Sequence, residues 1–118
     1  MRIAVDEKKH WYHGSNRVFD ILREGSTITQ WEELAAAFSH KPSMLCVDDD
    51  MVISHNGREK GYLYIIDEPV KIGADAYQHP RTTIGENTEF ITSRPLRVVL
   101  VCELDAPTDT QICVASKQ

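Results

Sequence analysis

The chain has 118 residues, 42% of them hydrophobic and 26% charged, with 18 acidic against 13 basic residues for a formal charge of −5. That length suits a single domain over 1–118 with one hydrophobic core, and the composition excludes a disordered chain. The acidic balance, without any block of Lys or Arg, excludes a general nucleic-acid-binding surface, which depends on neutralising many phosphates.

No apolar run approaches the roughly 20 residues that span a bilayer. Residues 1–9 are polar and charged, unlike a secretory leader. The three cysteines, Cys46, Cys102 and Cys113, lack CxxC spacing, which reads against a disulfide framework or a structural zinc site. Cys46 and Cys102 sit in apolar runs and read as small core residues, so a reducing cytoplasm is the expected compartment.

In chain order, residues 1–9 alternate weakly, as an edge strand or a loose arm. "WYHGS" at 11–15 reads as the end of a strand running into a turn. "RVFDILRE" at 17–24 has the spacing of a short helix or helical turn closed by Gly25. Thr29 is an N-cap for "QWEELAAAF", with Glu32 completing a capping-box pattern. After Pro42, "SMLCV" at 43–47 reads as a strand or a helical turn, and "DDD" at 48–50 as a solvated acidic turn. "SHNGREKG" at 54–61 carries an Asn-Gly turn signal.

"YLYIID" at 62–67 is the clearest strand, rich in aromatic and β-branched residues. Residues 73–87 read as a long polar loop, of the kind that carries function. "TEFITS" at 88–93 alternates like a half-buried strand, and "LRVVLVCEL" at 96–104 reads as a buried strand. The tail after Pro107 reads as peripheral. Strands outnumber two short helices, which gives an α+β fold with mainly antiparallel sheets.

Among single residues, Trp11 and Trp31 read as core anchors. His40, His55 and His79 lack helical partners and read as surface residues. Tyr64 reads as an exposed neighbour of Tyr62, and Arg81, Arg94 and Arg97 as scattered solvated charges. His13 differs from these. It stands at a strand-to-turn junction, followed by Gly14, which lets a planar ligand approach the main chain, and by the small hydroxyl of Ser15. Together they offer a grip for a ribose and an amide.

"YHGS" at 12–15 resembles the first motif of the ADP-ribosyltransferase superfamily in its His-type branch. That branch includes the poly(ADP-ribose) polymerases, the diphtheria-like toxins and the rifamycin-modifying transferases. The resemblance implies a split β-sandwich with short helices, with NAD as co-substrate. It implies that His13 bonds an NAD ribose hydroxyl and that the Gly14 backbone holds the nicotinamide amide. "NTEFITSRPLRVV" at 87–99 resembles the strand on which the polymerases present their catalytic glutamate, which would be Glu89. "GYLYIIDEPVKIGADA" at 61–76 resembles the rifamycin-modifying enzymes and points instead to Asp75. Glu89 is favoured because a strand fixes its direction.

The middle motif of this branch carries a tyrosine that stacks on the nicotinamide. The matching stretch, "AAAFSHKPSML" at 35–45, has none. Phe38 or Tyr77 would supply the flat face, and Ser39 and Ser43 resemble the motif's small hydroxyls. Glu86 and Glu89 are three apart, which does not match the Glu-x-Glu pair of arginine-specific toxins. The implied activity is mono-ADP-ribosylation of a protein, nucleobase or small molecule, without a metal and without a membrane. The small size suits a toxin-like effector by analogy. The alternatives are an inactive binding or inhibitor module on the same fold and an NAD glycohydrolase. The phosphotransferases that remove a tRNA splice-junction phosphate share the fold but need basic residues around that phosphate.

Overall fold

The computed structural model describes residues 9–80 and 88–106. Its elements are Tyr12–Ser15 (β1), Ile21–Leu22 (β2), Thr27–Ile28 (β3), Glu32–Ser39 (α1), Leu45–Val47 (β4), Ile53–His55 (β5), Gly61–Ile66 (β6), Ala76–Gln78 (β7), Phe90–Thr92 (β8) and Leu96–Leu104 (β9). They form a four-stranded sheet β1-β6-β9-β2, a three-stranded sheet β3-β8-β7 and a hairpin β4-β5. Every pairing between these strands is antiparallel. The protein is thus mainly antiparallel β-structure with one short helix among the described residues.

One apolar core draws on both larger sheets. Tyr64, Ile66, Leu96 and Val98 come from the first, Ile28, Ala76 and Phe90 from the second, with Trp11 edge-on to Phe90 between them. The two sheets touch at one backbone bridge, where Tyr12 and Thr29 exchange both hydrogen bonds at 2.7 and 3.0 Å. Beyond that bridge β1 turns to β6 and β3 to β8, so the sheets part between β1 and β3.

The same bridge moves the helix start. Because the Thr29 backbone is already paired, α1 begins at Glu32 with Trp31 as its N-cap. The Thr29 hydroxyl accepts the Trp31 N–H at 3.0 Å instead of capping the helix, and Trp31 itself is only half-buried.

The helix lies on β1 and β6 because glycines leave room for it. A Cβ on Gly14 would stand 1.7 Å from the Ala35 carbonyl oxygen, and one on Gly61 would stand 2.0 Å from Ser39 Oγ. No relaxation of a flexible side chain relieves the first clash, since the obstacle is backbone. Strand pairing puts Gly14 beside Leu63, while His13 lies opposite Tyr64 on the core face.

Several expectations change here. Residues 17–24 form no helix. Phe19 and Leu22 turn inward while Val18 and Ile21 are exposed, and β2 pairs with Leu96 and Arg97 of β9. Burying a leucine is worth about 2 kcal/mol, which outweighs helix-propensity differences of at most about 0.7 kcal/mol per residue. Tyr64 is 1% exposed rather than solvent-facing, because its hydroxyl donates to the Arg17 carbonyl at 2.8 Å and accepts the Phe19 N–H at 3.0 Å. The polar loop at 73–87 contains β7, and residues 81–87 lie outside the described residues. β9 is buried only in its first half, since Val99, Leu100 and Val101 are exposed. Cys46 is disulfide-bonded and Cys102 is an exposed free thiol, so neither is a plain core residue. Cys113, Arg81, Glu86 and the tail after Pro107 fall outside the described residues. None of the described helices is long and apolar enough to cross a membrane.

Candidate functional site

Where β1 and β3 part, the His13 ring reaches across the gap. Its Nδ1–H donates to the Thr27 carbonyl oxygen at 2.6 Å. A carbonyl can only accept, so Nδ1 carries the proton and Nε2 presents a lone pair. Burial holds the His13 pKa below the usual histidine value, and the Thr27 carbonyl only partly offsets it. The ring is therefore neutral at pH 7, a fixed hydrogen-bond acceptor suited to a hydroxyl.

His13 borders two cavities. The smaller, about 250 Å³, is lined by His13, Gly14, Thr27, Phe38 and Glu89. Four residues singled out in the sequence therefore meet at one small site: a histidine, a glycine backbone, an aromatic ring from α1 and a carboxylate residue one position before β8. Glu89 is positioned by its backbone, whose carbonyl accepts the His79 N–H at 2.9 Å. The larger cavity, about 520 Å³, is lined by His13 and Ser15 together with Arg17, Phe19, Arg23 and Ser26 among others. Phe19 stacks on Tyr64 with ring centroids 4.7 Å apart and lies 5.9 Å from the His13 ring. No family model, curated protein or solved structure matches this chain.

The other nominated residues lie elsewhere. Asp75 borders neither His13 cavity. Its Oδ1 accepts Arg94 Nε–H at 2.8 Å and its Oδ2 accepts the Lys71 N–H at 2.8 Å. The Arg94 hydrogen bond first, then the Lys71 N–H, holds the Asp75 pKa below the usual aspartate range. Arg94 also pairs with Glu68 at 2.9 Å, and Glu68 accepts the Arg97 N–H. Arg94 is thus the centre of an ion-pair junction rather than a solvated charge, while the exposed Arg97 side chain pairs separately with Asp67 at 3.3 Å.

Ser39 is fully buried and donates to the Ala36 carbonyl at 2.5 Å, filling the space above Gly61. Ser43 exchanges hydrogen bonds with the Asn56 side chain beside the β4-β5 hairpin. Tyr77 is 49% exposed on β7 and borders neither His13 cavity. Gly14 has a different role from the one its sequence suggests. It borders the smaller cavity, but the space its missing side chain leaves is taken by α1.

Arg17 and Arg23 were not found by sequence reasoning. Read as a helix, 17–24 puts both on a solvated face. In the fold the segment is extended around the cavity, and both residues line it. The signal that would have found them is their distance of four and ten residues from His13, inside one loop that begins at the histidine.

Proposed function

We propose that the chain is an NAD-dependent mono-ADP-ribosyltransferase of the split-β-sandwich type. The observation that carries this reading is the shared lining of one cavity by His13, Gly14, Phe38 and Glu89. His13 is common to both cavities and would sit near the middle of a dinucleotide that spanned them. The neutral imidazole would accept a ribose hydroxyl at Nε2. Phe38 offers a flat face for the nicotinamide ring, taking the place of the branch's tyrosine. Arg17 and Arg23 would face the diphosphate, supplying the positive charge that the chain's overall acidity does not suggest.

In the reaction the bond between the ribose anomeric carbon and the nicotinamide nitrogen breaks, and its electron pair leaves with neutral nicotinamide. The ribose becomes oxocarbenium-like, as in glycoside cleavage. The Glu89 carboxylate stabilises that charge in a partly enclosed site. A lone pair of the acceptor then bonds to the anomeric carbon and the acceptor's proton passes to solvent. The described residues around the cavity offer no tyrosine, which favours one second reading: a module that binds NAD without turnover.

Incubation with NAD labelled in its adenylate half tests both. Nicotinamide release with label transfer, lost in Glu89→Gln, supports the transferase. Release with only free ADP-ribose makes the protein a glycohydrolase. Saturable binding without release supports the module. Absence of NAD binding at any concentration removes all three.

A further inference from the structure

α1 also walls a cavity of about 360 Å³ that shares no lining residue with the two around His13. Its polar lining residues are His40, His55 and Glu33, and its apolar walls include Ala36, Ala37, Ile53 and Leu104. Both histidines were expected on the surface, yet they are 7% and 8% exposed. Their rings are nearly parallel, 7° apart in plane, with centroids separated by 5.6 Å. Gly57 permits the approach, since a Cβ there would meet the His40 carbonyl oxygen at 2.6 Å.

The backbone fixes the two rings in opposite tautomers. His40 Nδ1 lies 2.7 Å from the Glu59 carbonyl oxygen, which can only accept, so this nitrogen carries the proton. His40 Nε2 is left as a bare acceptor. His55 Nδ1 accepts the Gly57 N–H at 3.1 Å, so the proton of this ring is on Nε2. Neither Nε2 has a hydrogen-bond partner among the described residues. Neither is sealed from the surface, because among the described residues the one enclosed side-chain nitrogen or oxygen without a partner is Trp11 Nε1. An acceptor and a donor, carried by adjacent rings, are therefore open at a cavity whose other polar lining residue is Glu33.

That pairing selects among ligands. A carboxylate offers only acceptors and would meet the His40 lone pair. An ammonium offers only donors: the His40 lone pair and Glu33 could take it, but the His55 N–H would be left facing a cation. A bridging metal needs a lone pair on both rings, with each remaining N–H donated to an acceptor. His40 meets that demand, but His55 does the reverse. We propose that this cavity is a second binding site, for a small planar ligand with a hydrogen-bond donor beside an acceptor, the pattern of a pyrimidine base or a primary amide. Burial, then the neighbouring His40 and Arg58, lowers the His55 pKa and keeps that ring neutral.

The test uses the whole chain with ¹⁵N-labelled histidine and uracil as the probe. In the free protein the imidazole ¹⁵N shifts are expected to show protonated Nδ1 on His40 and protonated Nε2 on His55. Millimolar uracil is expected to shift both Nε2 signals saturably and to leave His13 unmoved. 1,3-Dimethyluracil, which keeps the planar ring and both carbonyls but carries methyl groups in place of both N–H donors, is expected to do neither. His55→Phe is expected to weaken uracil binding about tenfold, the loss of roughly one hydrogen bond. Should that variant not fold, the two uracils on the unaltered chain still decide. Like tautomers on the two rings, no saturable shift, equal response to both uracils, or a response confined to His13 overturns the proposal. None of these readouts depends on NAD.

Discussion

Two carboxylates compete for one role, and their surroundings differ in kind. Asp75 sits at a junction where Arg94 and the Lys71 N–H occupy its two oxygens and where Arg94 reaches on to Glu68. Its carbonyl also accepts the Ser93 N–H at 2.8 Å, tying the turn after residue 71 to the segment between β8 and β9. Glu89 instead borders a cavity beside a neutral, oriented histidine and an aromatic ring. A carboxylate already bonded at both oxygens holds chain segments together. One that borders a cavity with a histidine is placed to meet a ligand. The difference teaches that loop or strand is a poorer guide to role than whether the residue borders a cavity.

The comparison breaks most sharply at Glu89. Glu89→Gln is expected to lower nicotinamide release by at least about 100-fold, the size seen when one electrostatic stabiliser is removed, with thermal unfolding unchanged. Equal loss in Asp75→Asn would reverse the assignment. Gly14→Ala is expected to cost more than about 3 kcal/mol of stability, beyond ordinary overpacking, because its Cβ meets the Ala35 carbonyl. Denaturant unfolding checks this, and a fully stable variant would return Gly14 to a purely ligand-facing role.

Arg17→Ala with Arg23→Ala is expected to raise KM for NAD about tenfold or more, as charge-assisted hydrogen bonds are lost, with little change in melting temperature. Asp75→Asn is expected to cost about 1 kcal/mol, read as a lower melting temperature, with transfer retained at temperatures where the variant is folded.

The smallest effects are in pH. A lowered His13 pKa means the unfolded chain binds the proton more readily, so stability is full above about pH 6.5 and falls as acidification proceeds toward the lowered native value. His13→Gln should shrink that loss but not abolish it, since His55 is shifted the same way. Asp75 contributes stability that is full above about pH 4 and lost as pH falls through its lowered native value. Asp75→Asn should shrink that lower step and leave the upper one, without abolishing it, since Glu68 is shifted the same way. Urea unfolding across the pH range separates the two.

Much of the frame is readable without coordinates. β6, β8 and β9 follow from β-branched and aromatic runs, and α1 from its alanines and leucine, because these preferences are local and burial reinforces them. His13, Gly14, Phe38 and Glu89 are nominated in the sequence, and the fold places them around one cavity. The segment at 17–24 was not legible, because its helical spacing competes with pairing partners 74 and 76 residues away in β9. The buried pair His40 and His55 was not, because their burial depends on Gly57 lying under the C-terminal end of α1. Nor was the commitment of Asp75 to Arg94, a contact between residues 19 apart.

Local chemistry determined which residue types were present and which stretches extend or coil. That follows from propensity and period, which act over a few neighbours. Only the packed chain decided which side chains share a cavity, which glycine makes room for a helix rather than a ligand, and which proton each histidine keeps. Those outcomes depend on backbone groups brought close from distant parts of the chain, and no short-range pattern encodes their distances.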